Sequence, residues 1–283
     1  FIYIIITFKV ILMDRLTSII NVKKLNFSYE NKIIFSNLNL EIEKGEFVSL
    51  IGTNGSGKST LVKILAGLLD YQGSIKINDC ELKSDLNLVR KNMGIMLNNM
   101  NEQFIAEKVF DNIAFPLTNL NYNKTEIIDL VCEISNKIGI YHLLDKSINS
   151  LNNMEKTLVN LASVLVYKPQ ILIFDEVFDS LDRNELNKVM TILQSINMSS
   201  KVTIINVTQN GEDILFGNKI IVLDKGNVIS HDYNDSLFRS EKIFSKLGLE
   251  MPFMVDLSIK LKYYNLLDKL IYNMEEMVDT LWK

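Results

Sequence analysis

A glycine-rich stretch with a single lysine constrains this chain more than any other feature of the sequence. The stretch reads Gly52, Thr53, Asn54, Gly55, Ser56, Gly57, Lys58, Ser59, Thr60. It matches the pattern G-x-x-x-x-G-K-[ST], with a strand-like apolar run before it and a helix-like apolar run after it. Glycines permit a tight turn whose N–H groups converge on an anion, and the helix N-terminus adds positive potential. The sequence therefore predicts a phosphate-binding loop for a nucleoside triphosphate.

Two residues of this loop have predicted chemical roles. Lys58 is predicted to reach the β- and γ-phosphates, and the Ser59 hydroxyl is predicted to hold Mg²⁺. The flanking patterns predict a buried strand over residues 47–51 and a helix over residues 61–69.

A second acidic motif supports the same chemistry. An apolar run over residues 171–174 ends at Asp175 and Glu176, as in a Walker B strand. We expect Asp175 to hold Mg²⁺ through water and Glu176 to act as the general base that polarises the attacking water. A strand that merely ends in acids is common, but its combination with the phosphate loop favours the catalytic interpretation.

Tyr29 ends the first predicted strand, over residues 19–29. Taken alone, a tyrosine at a strand end is usually a packing residue. With the phosphate loop downstream, stacking on adenine becomes the favoured role.

Composition excludes several classes of function. The net charge of −4 gives no sign of a nucleic-acid partner. The two cysteines, Cys80 and Cys132, are too few for a metal cluster and are typical of a reducing compartment. The apolar first dozen residues are too short to span a bilayer, and we interpret residues 1–12 as an upstream extension ahead of Met13.

The order of patterns predicts an α/β fold of the P-loop type. Short strands around the loop predict an antiparallel layer beside a mixed core sheet, and helical patterns predict a helical subdomain at about residues 98–166. We therefore expect an ATP-binding domain over residues 13–240 and a C-terminal helical dimerisation domain over residues 241–283. In the latter, one apolar stripe is predicted to join Leu257, Leu261, Leu266, Leu270, Met274, Met277.

The loop, the acidic strand and the Asp179-Ser180-Leu181-Asp182 segment together resemble an ABC-transporter nucleotide-binding domain. The resemblance covers about residues 19–240. It implies head-to-tail dimers in which two ATP molecules lie between the phosphate loop of one subunit and the signature loop of the other.

Two further stretches resemble energy-coupling factor ATPases, and most closely the first of the two paired ATPases. They are Asn99-Met100-Asn101-Glu102-Gln103-Phe104, with the helix pattern that follows it, and Leu247-Gly248-Leu249-Glu250-Met251-Pro252-Phe253. The resemblance implies a second ATP-binding subunit, a transmembrane coupling protein and a membrane substrate-binding protein. It also implies peripheral attachment at the cytoplasmic face of the cell membrane and uptake of a vitamin or metal ion.

Four positions depart from the family pattern. The signature L-S-G-G-Q is replaced by Leu151-Asn152-Asn153-Met154-Glu155, and the Q-loop proline is replaced by Met100. Asn98 stands at the Q-loop glutamine and Gln209 at the switch histidine. These departures leave ATP binding intact and place efficient hydrolysis in doubt.

Three functions remain open on this basis. The leading one is an ATPase subunit that powers micronutrient uptake. A second is a nucleotide-gated structural subunit whose partner supplies most of the turnover. A third is a soluble ABC ATPase of translation, repair or cluster assembly, which is less favoured because the chain has neither tandem domains nor a long coiled-coil arm.

Overall fold

The computed structural model describes residues 18–98, 103–233 and 248–282, together with Phe238 and Phe244. The predicted extension over residues 1–12 and the departure at Met100 lie outside the described residues. In the part that is described, no helix combines the length and apolar character needed to cross a bilayer.

The strands form two sheets of different kinds. Their bounds are β1 Ser18–Tyr29, β2 Lys32–Glu43, β3 Phe47–Gly52, β4 Gln72–Ile77, β5 Cys80–Glu81, β6 Met93–Met96, β7 Ile171–Asp175, β8 Thr203–Val207, β9 Lys219–Asp224, β10 Asn227–Tyr233. A four-stranded antiparallel sheet has the order β2-β1-β4-β5. A six-stranded sheet has the order β10-β9-β3-β8-β7-β6, parallel except for the β9–β10 hairpin.

The two sheets differ in how their strands are buried. Every residue of β3, β7 and β8 is buried, as expected for parallel strands covered on both faces. In β2, by contrast, buried Leu38, Leu40 and Ile42 alternate with exposed Asn39 and Glu41. This alternation gives the antiparallel sheet one core face and one solvent face.

The helices cover both faces of the parallel sheet. Their bounds are α1 Lys58–Leu65, α2 Leu86–Lys91, α3 Val109–Asn119, α4 Lys124–Lys137, α5 Asn153–Leu165, α6 Arg183–Ser200, α7 Phe253–Tyr263, α8 Met274–Leu281. One apolar core joins α1, the four-stranded sheet and one face of the parallel sheet. A second core joins the opposite face to α3, α4, α5 and α6. The sheet is therefore fixed on both sides, which holds its carboxyl edge in place.

The structure confirms most predicted elements and corrects two. Helix α1 ends at Leu65, not at residue 69, because the chain turns at Gly67, where φ is +67° and the Leu68 N–H donates to the Lys63 C=O. The short elements β5 and α2 were not predicted.

The second correction concerns the C-terminal stripe. Helix α7 ends before Asn265, whose φ of 58° is left-handed, and α8 begins only at Met274. Leu266 and Met274 are consequently 59% and 54% exposed, so the prediction of one continuous stripe is wrong. The segment instead forms two separate helices. Met277 of α8 is buried in a small core with Met254 of α7 and with Leu267 and Ile271, which lie between the helices.

Candidate functional site

The predicted phosphate loop joins the end of β3 to the start of α1. Gly57 precedes the helix with φ of +109°, and a Cβ there would lie 2.8 Å from the Phe35 ring. Only glycine accommodates both the left-handed backbone and the close approach of β2. On the other side, the Gly226 N–H donates to the Ser56 C=O at 3.0 Å. The loop is thereby fixed between the β1–β2 hairpin and the β9–β10 turn.

Lys58 is buried at the centre of the site. Its Nζ donates to the carbonyl of Gly52 at 3.0 Å and to that of Thr53 at 3.4 Å, and lies 3.7 Å from a carboxylate oxygen of Glu176. Burial lowers the pKa of the ammonium, while the nearby carboxylates of Glu176 and Asp175 oppose this shift. A cation in this environment has a strong electrostatic preference for an additional anionic ligand.

The two predicted metal ligands lie side by side. The Ser59 hydroxyl donates to Asp175 Oδ1 at 3.1 Å, although the residues are distant in sequence. Burial raises the pKa of Asp175, and the hydrogen bond from Ser59 opposes that rise. A hydroxyl and one carboxylate fit Mg²⁺, which takes hard oxygen ligands and usually shares them with substrate phosphates. Among the described residues, no group of three or more acidic, His or Cys side chains could hold a metal ion.

Glu176 and Gln209 meet directly. Gln209 Nε2 donates to Glu176 Oε1 at 2.6 Å. Glu176 has a left-handed φ of 54°, and its N–H donates to the Val207 C=O at 3.1 Å. A non-glycine residue is held in this conformation only where its surroundings fix it, and such residues cluster at functional sites. The carboxylate is therefore aimed by Lys58 and Gln209 together.

Two further observations fit an anionic ligand at the loop. Glycine provides no side-chain cap for α1, so the N-terminal N–H groups of this helix have no side-chain acceptor at Gly57. The Ser56 hydroxyl is buried and lacks a hydrogen-bond partner among the described residues. A phosphate would satisfy both, because helix N-termini and converging N–H groups bind anions.

The remaining predicted site residues lie at the edge of this cluster. Tyr29 is 42% exposed at the tip of the β1–β2 hairpin and packs edge-on against Phe27, with ring centroids 4.8 Å apart. Asn98 is exposed beyond β6, and within the described residues no hydrogen bond joins it to Glu176 or Lys58. Its predicted catalytic role remains a prediction, as does adenine stacking by Tyr29.

The altered signature has a structure of its own. Asn152 caps α5 by accepting the Glu155 N–H at 2.8 Å, and Glu155 accepts the Asn152 N–H at 2.9 Å. In this capping box, the N-terminus of α5 already holds a carboxylate from its own chain.

Sequence reasoning missed a second charged cluster beside the site. Asp213 is buried, accepts the Thr208 hydroxyl at 3.2 Å and lies 3.6 Å from Arg183. Burial raises its pKa to about 6, while Thr208 and Arg183 oppose the shift. No contiguous motif marks this cluster, since Arg183 approaches Asp213 only through the fold.

We expect Lys58→Ala to weaken ATP binding at least about tenfold, because it removes a charge-assisted contact with phosphate worth roughly 1.5–3 kcal/mol. Equilibrium titration of the full chain with ATP and Mg²⁺ measures this. Lys76→Ala is the control, since Lys76 is an exposed lysine of β4. Equal affinity of the Lys58 variant and the wild type would contradict the assignment.

Asp213 should make folding stability depend on pH. Its pKa rises from 3.8 unfolded to about 6 folded, so between these values the folded chain binds the extra proton. The free energy of unfolding therefore falls as pH rises through this window. Asp213→Asn removes the titration, so the variant should gain stability relative to the wild type, by up to about 3 kcal/mol, between about pH 4 and pH 7. Denaturant unfolding at both pH values tests this; a constant difference would contradict it.

Comparisons with known proteins agree with this geometry. A family model described as ABC transporter matches residues 35–179. The chain is 33% identical over 269 residues to the energy-coupling factor transporter ATP-binding protein EcfA1 of Mesomycoplasma hyopneumoniae, covering 93% of this chain and 97% of the relative. It is 36% identical over 270 residues to EcfA of Malacoplasma penetrans, with coverage of 93% and 92%.

A solved structure gives the same result at the level of the fold. It is cbiO1 from Clostridium perfringens, described as part of the ABC transporter complex cbiONQ, with a TM-score of 0.73 and 28% identity. The match covers 85% of this chain and 98% of that one. The predicted ABC-type P-loop fold is thus confirmed, and with it ATP binding as the family's shared property. The chain therefore belongs to the ABC transporter family, among its energy-coupling factor ATP-binding proteins, and is an ATPase.

Proposed function

We propose that this chain couples ATP binding and hydrolysis to the uptake of a micronutrient, a vitamin or a metal ion, through membrane partners. The observation that carries the proposal is the convergence of Lys58, Ser59, Asp175, Glu176 and Gln209 at one edge of the parallel sheet. The relatives are named as transporter subunits, which favours this function over a soluble ATPase of translation or repair.

Each residue at this edge has a defined task. Lys58 binds the β- and γ-phosphates. To do so, its Nζ exchanges the loop carbonyls of Gly52 and Thr53 for phosphate oxygens. Ser59 and Asp175 offer oxygens to Mg²⁺, which when bound neutralises charge on the phosphates. Glu176 accepts a proton from the attacking water, and Gln209 orients its carboxylate through the hydrogen bond at 2.6 Å.

Hydrolysis at this loop should be slow. Gln209 donates a hydrogen bond but has no imidazole charge to offer the γ-phosphate, and Asn98 is one methylene shorter than glutamine. Losing one well-aimed donor to the transition state costs roughly 10²–10³ in rate, and a displaced donor costs less.

The opposite site of a head-to-tail dimer is weakened for another reason. There this chain would offer its signature segment to the partner's nucleotide. Met154 is bulkier than glycine, and the Glu155 carboxylate already occupies the N-terminus of α5. An anion held at that terminus repels a second anion, the γ-phosphate. This observation favours the alternative function, a subunit whose hydrolysis is impaired and whose partner supplies most of the turnover.

A groove on the helical side of the sheet supports a membrane partner. A cavity of about 650 Å³ opens between α3, α5 and β6, and its rim includes Ile105 and Phe115, which are 62% and 36% exposed. Apolar residues on a concave rim are typical of a site for a partner helix. We propose that the transmembrane coupling protein docks here, which places the chain at the cytoplasmic face of the membrane.

The C-terminal helices support a second ATP-binding subunit. Tyr263, Tyr264 and Trp282 are 82%, 71% and 83% exposed on or beside α7 and α8. Aromatic residues are enriched at protein interfaces relative to the rest of the surface. We propose that residues 241–283 contact the second subunit, as expected for a dimerisation domain.

Replacing Gln209 by His should raise the ATPase rate of the reconstituted complex about tenfold, because an imidazole is a stronger donor to the γ-phosphate than an amide. Adding Glu176→Gln should then abolish most of the activity, since the general base is lost. Steady-state turnover measures both. Gln72→His, at an exposed glutamine of β4, is the control. A wild-type complex with ordinary turnover, unaffected by Gln209→His, would show that the substitution is neutral.

Association with the membrane tests the transport function itself. The tagged full chain, purified from solubilised membranes, should retain a transmembrane protein and a second ABC ATPase. Ile105→Asp should reduce this recovery by placing a charge on the groove, whereas Met198→Asp, at a residue 76% exposed on α6, should not. Recovery of the wild-type chain from the soluble fraction alone, without membrane partners, would favour a soluble ATPase instead.

A further inference from the structure

The loop that carries Gln209 is a compact turn with little freedom. Within residues 208–213, the Asn210 N–H donates to the Thr208 hydroxyl at 3.0 Å, and the Glu212 N–H donates to Asn210 Oδ1 at 3.0 Å. The Thr208 hydroxyl in turn donates to Asp213 at 3.2 Å. Because these bonds close the turn on itself, a displacement of one end moves Gln209 as well.

The outer end of this turn is bound to the C-terminal segment. Glu212 Oε1 accepts the N–H of Phe253, the first residue of α7, at 2.6 Å. The first N–H groups of a helix have no partner within the helix, and a carboxylate there is favoured by both hydrogen bonding and the helix dipole. The other oxygen of Glu212 lies 3.4 Å from Arg183, the first residue of α6. One carboxylate thus joins the starts of two helices to the Gln209 turn.

A second contact lies beside the first. A Cβ built on Gly211 would lie 1.8 Å from the carbonyl oxygen of Glu250. Only a residue without a side chain lets the turn and the segment before α7 approach this closely. Two adjacent positions of the turn, Gly211 and Glu212, are therefore both adapted to contact with residues 250–253.

We propose that Glu212 is a positioning residue through which the C-terminal segment sets the placement of Gln209 against Glu176. This inference rests on the proposed function, in which Gln209 acts at the hydrolytic site. Among the described residues, no hydrogen bond or ion pair joins the Glu212 side chain to Glu176 or to the phosphate loop; its polar contacts are with Phe253 and Arg183. Its effect passes through the closed turn to Gln209, whose Nε2 lies 2.6 Å from Glu176.

The arrangement gives the C-terminal segment a regulatory role. The exposed aromatic residues that we propose to contact the second subunit lie on or beside helices α7 and α8 of this chain. A partner that shifts α7 changes the position of the Phe253 N–H, and hence the position of the turn. Pairing of subunits is in this way communicated to the water-activating residues of this chain.

Three variants of the full chain test the proposal. Glu212→Ala removes both contacts of the carboxylate, whereas Glu212→Gln retains an oxygen for the Phe253 N–H. Glu276→Ala is the matched control, because it removes a glutamate that also pairs with a basic residue, Lys269, in the same C-terminal segment. The measurements are amide hydrogen exchange over residues 249–256 and the kcat and KM of ATP hydrolysis.

We expect exchange at Phe253 to be about tenfold faster in Glu212→Ala, as for the loss of one charge-assisted hydrogen bond. The kcat should fall about tenfold with KM for ATP unchanged, since Gln209 acts on the transition state and not on ground-state binding. Glu212→Gln should restore exchange and most of the kcat. Glu276→Ala should change neither, and a purely structural role for Glu212 would leave kcat unaffected.

Several results would overturn the inference. They are unchanged exchange in Glu212→Ala, faster exchange with normal kcat, or an equal loss of kcat in Glu276→Ala. If the wild type hydrolyses no ATP, the proposed hydrolytic function fails, and the inference is decided by exchange alone. Saturating ATP with Mg²⁺ should then alter exchange at Phe253 in the wild type and not in Glu212→Ala; no nucleotide effect in the wild type would overturn it.

Discussion

The buried pair of Lys58 and Glu176 is the interaction on which the site depends. Their charged groups lie 3.7 Å apart, and each is contributed by a different strand–loop connection at the carboxyl edge of the parallel sheet. Lys58 is too buried to remain charged at low cost without such partners, which is why its pKa is lowered and the nearby carboxylates oppose the shift. The fully buried strands β3, β7 and β8 hold the two connections in register. The packing of the sheet therefore determines the distance between Lys58 and Glu176.

The same site extends further into the molecule than its motifs suggest. Gln209 links Glu176 to the turn at residues 208–213. Glu212 of the same turn contacts the first residues of α6 and α7. The Glu176 carboxylate and the start of α7 therefore belong to one hydrogen-bonded structure.

The sequence predicted those parts of the site that are encoded by neighbouring residues. The loop at Gly52–Thr60 and the acids at the end of β7, Asp175 and Glu176, could be identified because strand, turn and helix patterns are local and their chemistry fixes their spacing. The hydrogen bond of Gln209 to Glu176 was not predictable, since it depends on the order of β7 and β8 in the sheet. The prediction of a single apolar stripe in the C-terminal segment was wrong, because apolar spacing gives no sign of the left-handed backbone at Asn265, just after the end of α7. Glu155 is visible in the sequence as a residue of the altered signature, but its hydrogen bond to the Asn152 N–H is seen only in the folded helix.

The most direct test of the central account is a crystal structure of the full chain bearing Glu176→Gln with ATP and Mg²⁺. The account predicts that Lys58 Nζ leaves the carbonyl of Gly52, where it now lies at 3.0 Å, and contacts phosphate oxygens. It also predicts a metal ion about 2.1 Å from the Ser59 hydroxyl, with Asp175 beside it. A nucleotide bound away from the loop, or phosphates in the loop with Lys58 still on the backbone carbonyls, would contradict it.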